Sequence, residues 1–461
     1  MIERLVVLGG TGDLMGRYLL PGLAALQARG RLPERFEVVG AGRHEWSDDR
    51  YRDWAADWLR REAPDVGDDA TDTLLRALRY TPIDLGDPGD VRARIAGDGP
   101  VAVYLALPPA VFPIAVKVLH GAGLPPESQL VLEKPFGEDL AGATALNRLL
   151  EELVDERHVF RVDHFLAMTT VQNVLGTRLA NRVLEPIWNS AHIDEIEIVW
   201  DESLALEGRA GYYDGVGALK DMVQNHLLQL LCLVAMEPPV SLGERDLRDR
   251  KVDVLRSVRA LTEADVVAQT RRARYRAGRI GDRDVPAYVD EDGVTPGHET
   301  ETFADVVLHL DSWRWAGTRF RLRTGKALGH DEMAVVVRFR PVPHNPFADS
   351  ERSAAPNVLR FGLEEPEGLS LELTGTGPGV PESLAPLHLS AAMEPPELPA
   401  YGRILLDVLN ANTALSIRGD EAEEAWRVVT PILEAWSAGR VPLEEYDAGS
   451  DGPAPLRQPP R

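Results

Sequence analysis

The chain has 461 residues, 44% of them hydrophobic and 27% charged, the balance of a globular protein with room for two domains. Lys plus Arg is 50 against 73 Asp plus Glu, a formal charge of −23, which argues against a non-specific nucleic-acid binder but leaves a local anion site open. One cysteine, Cys232, excludes an intrachain disulfide. No apolar run approaches a membrane span, and Met1 to Leu8 is too short, and too soon ended by Gly9, for a signal peptide, so a cytoplasmic location is expected.

Residues 5–8 read as a buried parallel strand, apolar on both faces. They lead into Gly9-Gly10-Thr11-Gly12-Asp13-Leu14 and then a helical stretch to Gly30. Strand, glycine turn and helix are the context of a dinucleotide loop. Glycines let the backbone approach a pyrophosphate, and the helix N-terminus offers it free N–H groups. The spacing is not G-x-G-x-x-G, and Met15 stands where a small residue packs best, so the motif alone leaves an ordinary glycine turn open. A second strand, 36–40, ends at Ala41-Gly42-Arg43, where the adenine ribose lies in such folds. Arg43 there suits a 2′-phosphate and favours NADP, with NAD still open and a plain surface arginine as the alternative. Residues 49–62 and 69–79 read as amphipathic helices. Strands follow at 101–106, stopped by Leu107-Pro108-Pro109, and at 129–133, ending in Lys134-Pro135-Phe136-Gly137. Lys134 stands at the carboxyl end of a strand, where ligands bind; a solvent-facing loop lysine is the alternative.

Past Arg161 the texture changes. Val162-Asp163-His164-Phe165 enters a helix expected to reach Trp188. Strands are expected at 192–200, 303–310, 319–323, 334–339, 358–363 and 369–373, several alternating apolar and polar as half-solvated strands do. Helices are expected at 405–417 and 422–436, and residues 276–302, rich in Gly, Pro and Asp, read as a loop. No internal repeat and no metal-ligand spacing is present, so no metal is expected. The predicted fold is an α/β Rossmann-type doubly wound domain over 1–162 and an α+β domain with a large, mostly antiparallel sheet over 163–448. A flexible tail is predicted over 449–461.

Residues 217–231 form the second chemical landmark. They read as a helix apolar on nearly every side, hence a core helix, yet they carry Asp221, Asn225 and His226. Buried polar groups need partners, so this helix is either knitted to other polar groups or delivers a base to a pocket.

The chain resembles the glucose-6-phosphate dehydrogenase family along almost its full length. The resemblance runs through Gly9 to Leu14, Tyr104-Leu105-Ala106-Leu107-Pro108-Pro109, Glu133-Lys134-Pro135-Phe136-Gly137 and Arg161-Val162-Asp163-His164-Phe165-Leu166. It continues through Asn181-Arg182, Ile187-Trp188-Asn189, Glu207-Gly208-Arg209, 221–229, Val234-Ala235-Met236-Glu237, Gly325-Lys326-Ala327-Leu328, Leu405-Leu406-Asp407 and Ala425-Trp426-Arg427. The resemblance implies oxidation of C1 of a β-hexopyranose to the 1,5-lactone with NADP or NAD, by a homodimer, or a tetramer, whose sheet forms the dimer interface. It implies His226 as general base and Asp163 as the carboxylate that orients it. Substrate contacts are implied for Lys134, His164, Glu202, Asp221 and Lys326. Cofactor contacts are implied for Gly9, Thr11, Gly12, Asp13, Leu14, Arg43, Pro108 and Lys134.

The departures from the family pattern fall at its phosphate site. Phe165 stands for a tyrosine, Met168 for a lysine and Asp331 for a lysine or arginine; outside that set, Tyr18 stands for a first-helix lysine that lies near cofactor and substrate in the family. A phosphate takes charge-assisted bonds of roughly 1.5–3 kcal/mol each, so losing two weakens it by orders of magnitude. The expectation is therefore an unphosphorylated glucose or a C6-modified sugar. The alternative is an orthodox glucose-6-phosphate dehydrogenase using Arg17, Arg178 or Lys220. A non-catalytic binding relative fits less well, because both the base and its carboxylate are present.

Overall fold

A computed structural model of the chain describes residues 1–95, 99–347, 355–364, 368–377 and 384–456. The chain divides into two compact units, each discontinuous in sequence. The first comprises Met1–Thr169, Pro239–Asp249 and Pro396–Glu423; the second comprises Thr170–Pro238, Arg250–Pro395 and Glu424–Arg461.

The first unit is built on a six-stranded parallel sheet. Its strands are β1 (Arg4–Leu8), β2 (Glu37–Gly42), β3 (Leu78–Pro82), β4 (Ala102–Leu105), β5 (Gln129–Glu133) and β6 (Val159–Val162), in the order β3-β2-β1-β4-β5-β6. β3 was not expected. Its sequence, Leu-Arg-Tyr-Thr-Pro, follows directly on the helix Asp68–Ala77, which is shorter than the predicted 69–79 by the strand's first residues. Leu5, Val6, Val7 and Leu8 are buried because helices cover both faces of the central strand. The order reverses between β1 and β4, and a crevice opens outside the carboxyl ends of the strands at such a switch point. The helix Ala400–Leu409 packs in this unit against the first helices and the turn after β6. A helix was predicted at 405–417; the observed one starts five residues earlier and stops at Asn410, where Ala411 takes φ +54°.

The second unit holds a nine-stranded sheet. Its strands are β7 (Ile193–Asp201), β8 (Thr270–Arg276), β11 (Phe303–Leu308), β12 (Arg319–Gly325), β13 (Glu332–Phe339), β14 (Val358–Gly362), β15 (Leu369–Thr376), β16 (Leu384–Ala391) and β17 (Leu443–Asp447). A separate hairpin joins β9 (Gly278–Ile280) to β10 (Arg283–Val285). The order is β16-β15-β14-β13-β7-β12-β11-β8-β17, antiparallel except for the pairs β7–β12 and β8–β17. β8, β16 and β17 were not expected from the sequence. Thr-Arg-Arg-Ala-Arg-Tyr-Arg looks too cationic for a central strand, yet Arg272 is buried, with its guanidinium donating to Val441 O and Glu299.

Three further segments differ from expectation. The predicted helix from 163 to 188 is broken into a 3-10 turn His164–Ala167, a helix Thr169–Leu179 and a second 3-10 turn Glu185–Ile187. The loop 276–302 is held by the protein itself. Asp214 accepts from the Tyr288 hydroxyl at 2.8 Å and the Thr295 amide at 2.9 Å, and pairs with His298 Nδ1 at 2.8 Å. The start of the expected tail is docked too, through Gly449 N to Ala327 O (2.9 Å) and Gly329 N to Ser450 O (2.8 Å). Residues 457–461 of that tail lie outside the described residues. Among the described residues, no helix is long and apolar enough to cross a membrane.

Candidate active site

In the first unit the glycine loop leaves β1 under tight backbone constraint. Gly9 N and Gly10 N donate to Ala41 O at 2.8 and 3.1 Å, and the Tyr51 hydroxyl donates to Gly10 O at 2.9 Å. Gly9 has φ +85°, and a Cβ there would lie 2.1 Å from Ala106 O, so only glycine lets the loop turn here. Gly12 and Asp13 are exposed, Thr11 and Leu14 half-buried, and Asp13 pairs with Arg17 at 2.9 Å. The first helical turns, Met15–Leu19, are π-helical, with Leu20 N reaching back to Met15 O. Arg43 lies exposed just past β2 and makes no ion pair among the described residues. Pro108 is exposed just past β4. Lys134 is half-buried just past β5, in a cis peptide with Pro135. The loop thus offers an open backbone cradle beside an unengaged cation, which fits a dinucleotide carrying a 2′-phosphate.

The same edge carries Asp163 and His164, directly after β6. Asp163 is 3% exposed, and its Oδ1 accepts the Phe165 amide at 3.0 Å, capping the 3-10 turn. Phe165 is buried and meets the His164 ring edge-on, with centroids 5.0 Å apart. Met168 is half-buried at the end of that turn. Glu133, the last residue of β5, accepts hydrogen bonds from the hydroxyls of Tyr104 (2.5 Å) and Tyr401. Loss of water pushes its carboxyl up to about 7 even so.

In the second unit the buried helix is π-helical over Leu219–Leu227 and α-helical over Leu228–Ala235. Leu228 N bonds to Val223 O, a five-residue step. Asp221 and His226 are also five apart, so the π winding brings them round one turn, which hydrophobic pattern alone does not reveal. His226 is 1% exposed. Asn225 is structural: its amide donates to Lys220 O at 2.9 Å, and its Oδ1 accepts His226 N at 2.6 Å. The helix is started from outside. Glu301 accepts Leu219 N on its side chain and Ala218 N on its carbonyl, both at 3.0 Å. Gly217, at φ +72°, has no space for a Cβ, which would sit 2.5 Å from Glu301 Oε1.

Strand register assembles the rest of this half. Asp201 pairs with Gly325 on one side and with Glu332 on the other. Glu202, Lys326 and Asp331 are the adjoining residues, so the ends of three strands bring them together. Lys326 and Glu202 form an ion pair, and Asp331 accepts the Ser203 amide at 2.6 Å. Asp331 therefore caps a turn. Tyr213, buried, lies in the field of Asp221, Glu301, Tyr446 and Glu202, and its hydroxyl has no hydrogen-bond partner among the described residues. Burial pushes it well above the usual phenol range. Glu301 was not legible as part of the site, since it sits 82 residues from the amide it accepts, and nothing in the pattern around Tyr213 marks its hydroxyl as facing Asp221 and Glu202. Arg178, named as a phosphate ligand, is fully buried and engaged elsewhere. It donates to Leu233 O, Val234 O and Met236 O at 2.9 Å each. An open groove of ≈ 840 Å³ in this unit is lined by Asn181, Arg182, Glu185, Glu237, Trp313 and Arg314 among others, and by none of the expected site residues.

Comparison with known proteins accounts for the arrangement. Residues 6–173 match the NAD binding domain of glucose-6-phosphate dehydrogenase, and residues 175–458 match its C-terminal domain. The chain is 40% identical to a glucose-6-phosphate 1-dehydrogenase of Rhizobium meliloti (strain 1021), over 97% of this chain and 94% of that one. It superposes on a glucose-6-phosphate 1-dehydrogenase from Mycobacterium avium with TM-score 0.87 and 34% identity, covering 98% of this chain and 95% of that one. It also superposes on a glucose-6-phosphate dehydrogenase in complex with its substrate glucose-6-phosphate, with TM-score 0.89 and 28% identity, covering 99% and 96%. The chain belongs to the glucose-6-phosphate dehydrogenase family and is an oxidoreductase that uses NADP or NAD.

Proposed function

We propose that this chain is an NADP-dependent glucose-6-phosphate 1-dehydrogenase. What supports the reading is the unbroken match through both domains to relatives of that name. It ranks above the expected activity on an unphosphorylated sugar. His226 takes the proton of the C1 hydroxyl, and Asp163 orients its imidazole and stabilises the charge it gains. The nicotinamide, when bound, supplies the acceptor for the C1 hydride. Glu202 and Asp221 accept hydrogen bonds from sugar hydroxyls, while Lys134, His164 and Lys326 present positive or donor groups to the substrate. Gly9, Thr11, Gly12, Asp13 and Leu14 cradle the pyrophosphate, Pro108 also contacts the cofactor, and Arg43 meets the 2′-phosphate. The sugar loses one proton and one hydride and becomes the lactone. The chain works as a homodimer in the cytoplasm, on a small sugar and not on nucleic acid or membrane.

A second reading retains one observation. Phe165, Met168 and Asp331 bring no cation and no free hydroxyl, and Asp331 holds a backbone amide instead. Under it the substrate is glucose or a C6-modified sugar. With Arg178 engaged in the core, Arg17 and Lys220 are the remaining extra cations for a phosphate.

Steady-state turnover of glucose 6-phosphate and glucose with NADP separates the two. The expected kcat/KM favours the phosphate ester by about 100-fold or more, the worth of one or two charge-assisted bonds. Equal or better turnover of glucose would replace the first reading with the second.

A further inference from the structure

Three aromatic rings form a column in the first unit. Tyr18 stacks on Tyr401 with centroids 5.0 Å apart and planes at 28°, and Tyr401 stacks on His164 at 5.8 Å and 20°. Both pairs lie in the favourable range for offset stacking. The middle ring is locked, since Tyr401 is 9% exposed and its hydroxyl is bonded to Glu133. The inner ring is braced edge-on by Phe165. The outer ring is uncovered: Tyr18 is 47% exposed. A ring serving only the core would be covered, and this one is stacked on Tyr401 while the residue stays 47% exposed.

Position tells what the exposed ring meets. Glu133 ends β5 and His164 follows β6 by two residues, so the column stands at the carboxyl edge of the parallel sheet. Ligands of such sheets bind outside that edge. A tyrosine offers a large flat surface at low entropic cost, an electron-rich face and a polar rim. A pyranose is complementary to it, with polarised C–H groups on one face and hydroxyls at the rim.

We propose that Tyr18 is a sugar-binding platform, a specificity-determining residue whose exposed ring stacks on the C–H face of the pyranose. Tyr401 and Glu133 keep the platform in place. The proposal rests on the reading of the chain as a hexose C1 dehydrogenase and adds a recognition element that carries no charge. The platform therefore serves glucose and glucose 6-phosphate alike.

Tyr18→Ala and Tyr18→Phe test it in the full-length enzyme, with KM, kcat and NADP affinity measured separately. Tyr18→Ala is expected to raise the sugar KM about tenfold for whichever sugar is turned over. Its kcat should stay within about threefold and its NADP Kd should not change. Tyr18→Phe keeps the ring and should stay near wild type. An unchanged sugar KM in Tyr18→Ala, or an effect confined to NADP, would overturn the proposal and leave the dehydrogenase reading intact. A wild-type protein turning over neither sugar would remove both. Thermal unfolding of Tyr18→Ala close to wild type, expected for so exposed a side chain, excludes a loss of fold as the cause.

Discussion

His226→Asn is expected to lower kcat by about 10²–10⁴-fold, the range of a positioned general base, with NADP affinity close to wild type. His226 is 1% exposed and shares the π-helical segment with the buried Met222, Val223 and Leu227. An apolar setting makes a polar side chain costly unless it has work to do or partners to meet. Its neighbour Asn225 supplies local stitching, through Lys220 O and the amide of residue 226. Asparagine keeps a polar side chain of smaller size and cannot take the C1 hydroxyl proton at neutral pH. Stopped-flow turnover alongside NADP titration checks the split. A variant keeping more than about a tenth of wild-type kcat would reassign the base.

The largest expected loss of stability is at Arg178. Arg178→Met should lower the unfolding free energy by about 3–5 kcal/mol, as removal of one member of a buried charged network does. The helix Leu228–Ala235 ends with carbonyls that its own turns cannot satisfy. Arg178 reaches three of the carbonyls at that end and also pairs with Glu185 at 3.3 Å. Its guanidinium lies 5.3 Å from the ring centroid of Trp188, whose Nε1 donates to Val234 O. Burial lowers the Arg178 pKa to about 10, which still leaves it charged at neutral pH. Methionine fills much of the stem's volume and satisfies none of the carbonyls. Urea unfolding with an unchanged m-value measures the effect, and a shift below about 1 kcal/mol would contradict this account of the helix end.

Much of the architecture was legible where pattern and chemistry agree. β1, β2, β4 and β5 are short apolar runs ended by Gly or Pro, and the alternation of strands with helices announces a parallel sheet. The strands β7, β11, β12, β13, β14 and β15 were placed to within a few residues by their alternation. Elements were lost where tertiary contacts override local pattern. β8 is carried by its pairing with β11 and β17, and its arginines find carbonyls and carboxylates that sequence neighbours do not supply. The helix expected to reach Trp188 is interrupted because Asp163 caps a 3-10 turn and Pro186 sits in another. The site residues were readable as types on a motif. Their support was not, because Glu133, Tyr401 and Glu301 act across long sequence separations. The π winding of Leu219–Leu227 was hidden for a different reason, since a helix apolar on all sides has no stripe from which to read its pitch.

Of the three substituted positions 165, 168 and 331, two change character in the fold. Asp331 does not stand as a free repulsive charge, because it holds the Ser203 amide beside the Lys326–Glu202 pair. Phe165 braces His164 from the edge, which is a packing role open to phenylalanine and tyrosine alike.

The central claim, that a hydride leaves C1 of the hexose for the nicotinamide, is tested most directly with substrate deuterated at C1. Incubated with NADP and the full-length enzyme, C1-deuterated glucose 6-phosphate should yield reduced cofactor carrying the deuterium at C4, one label per lactone formed. Cofactor reduced without the label, or lactone formed without cofactor reduction, would contradict it.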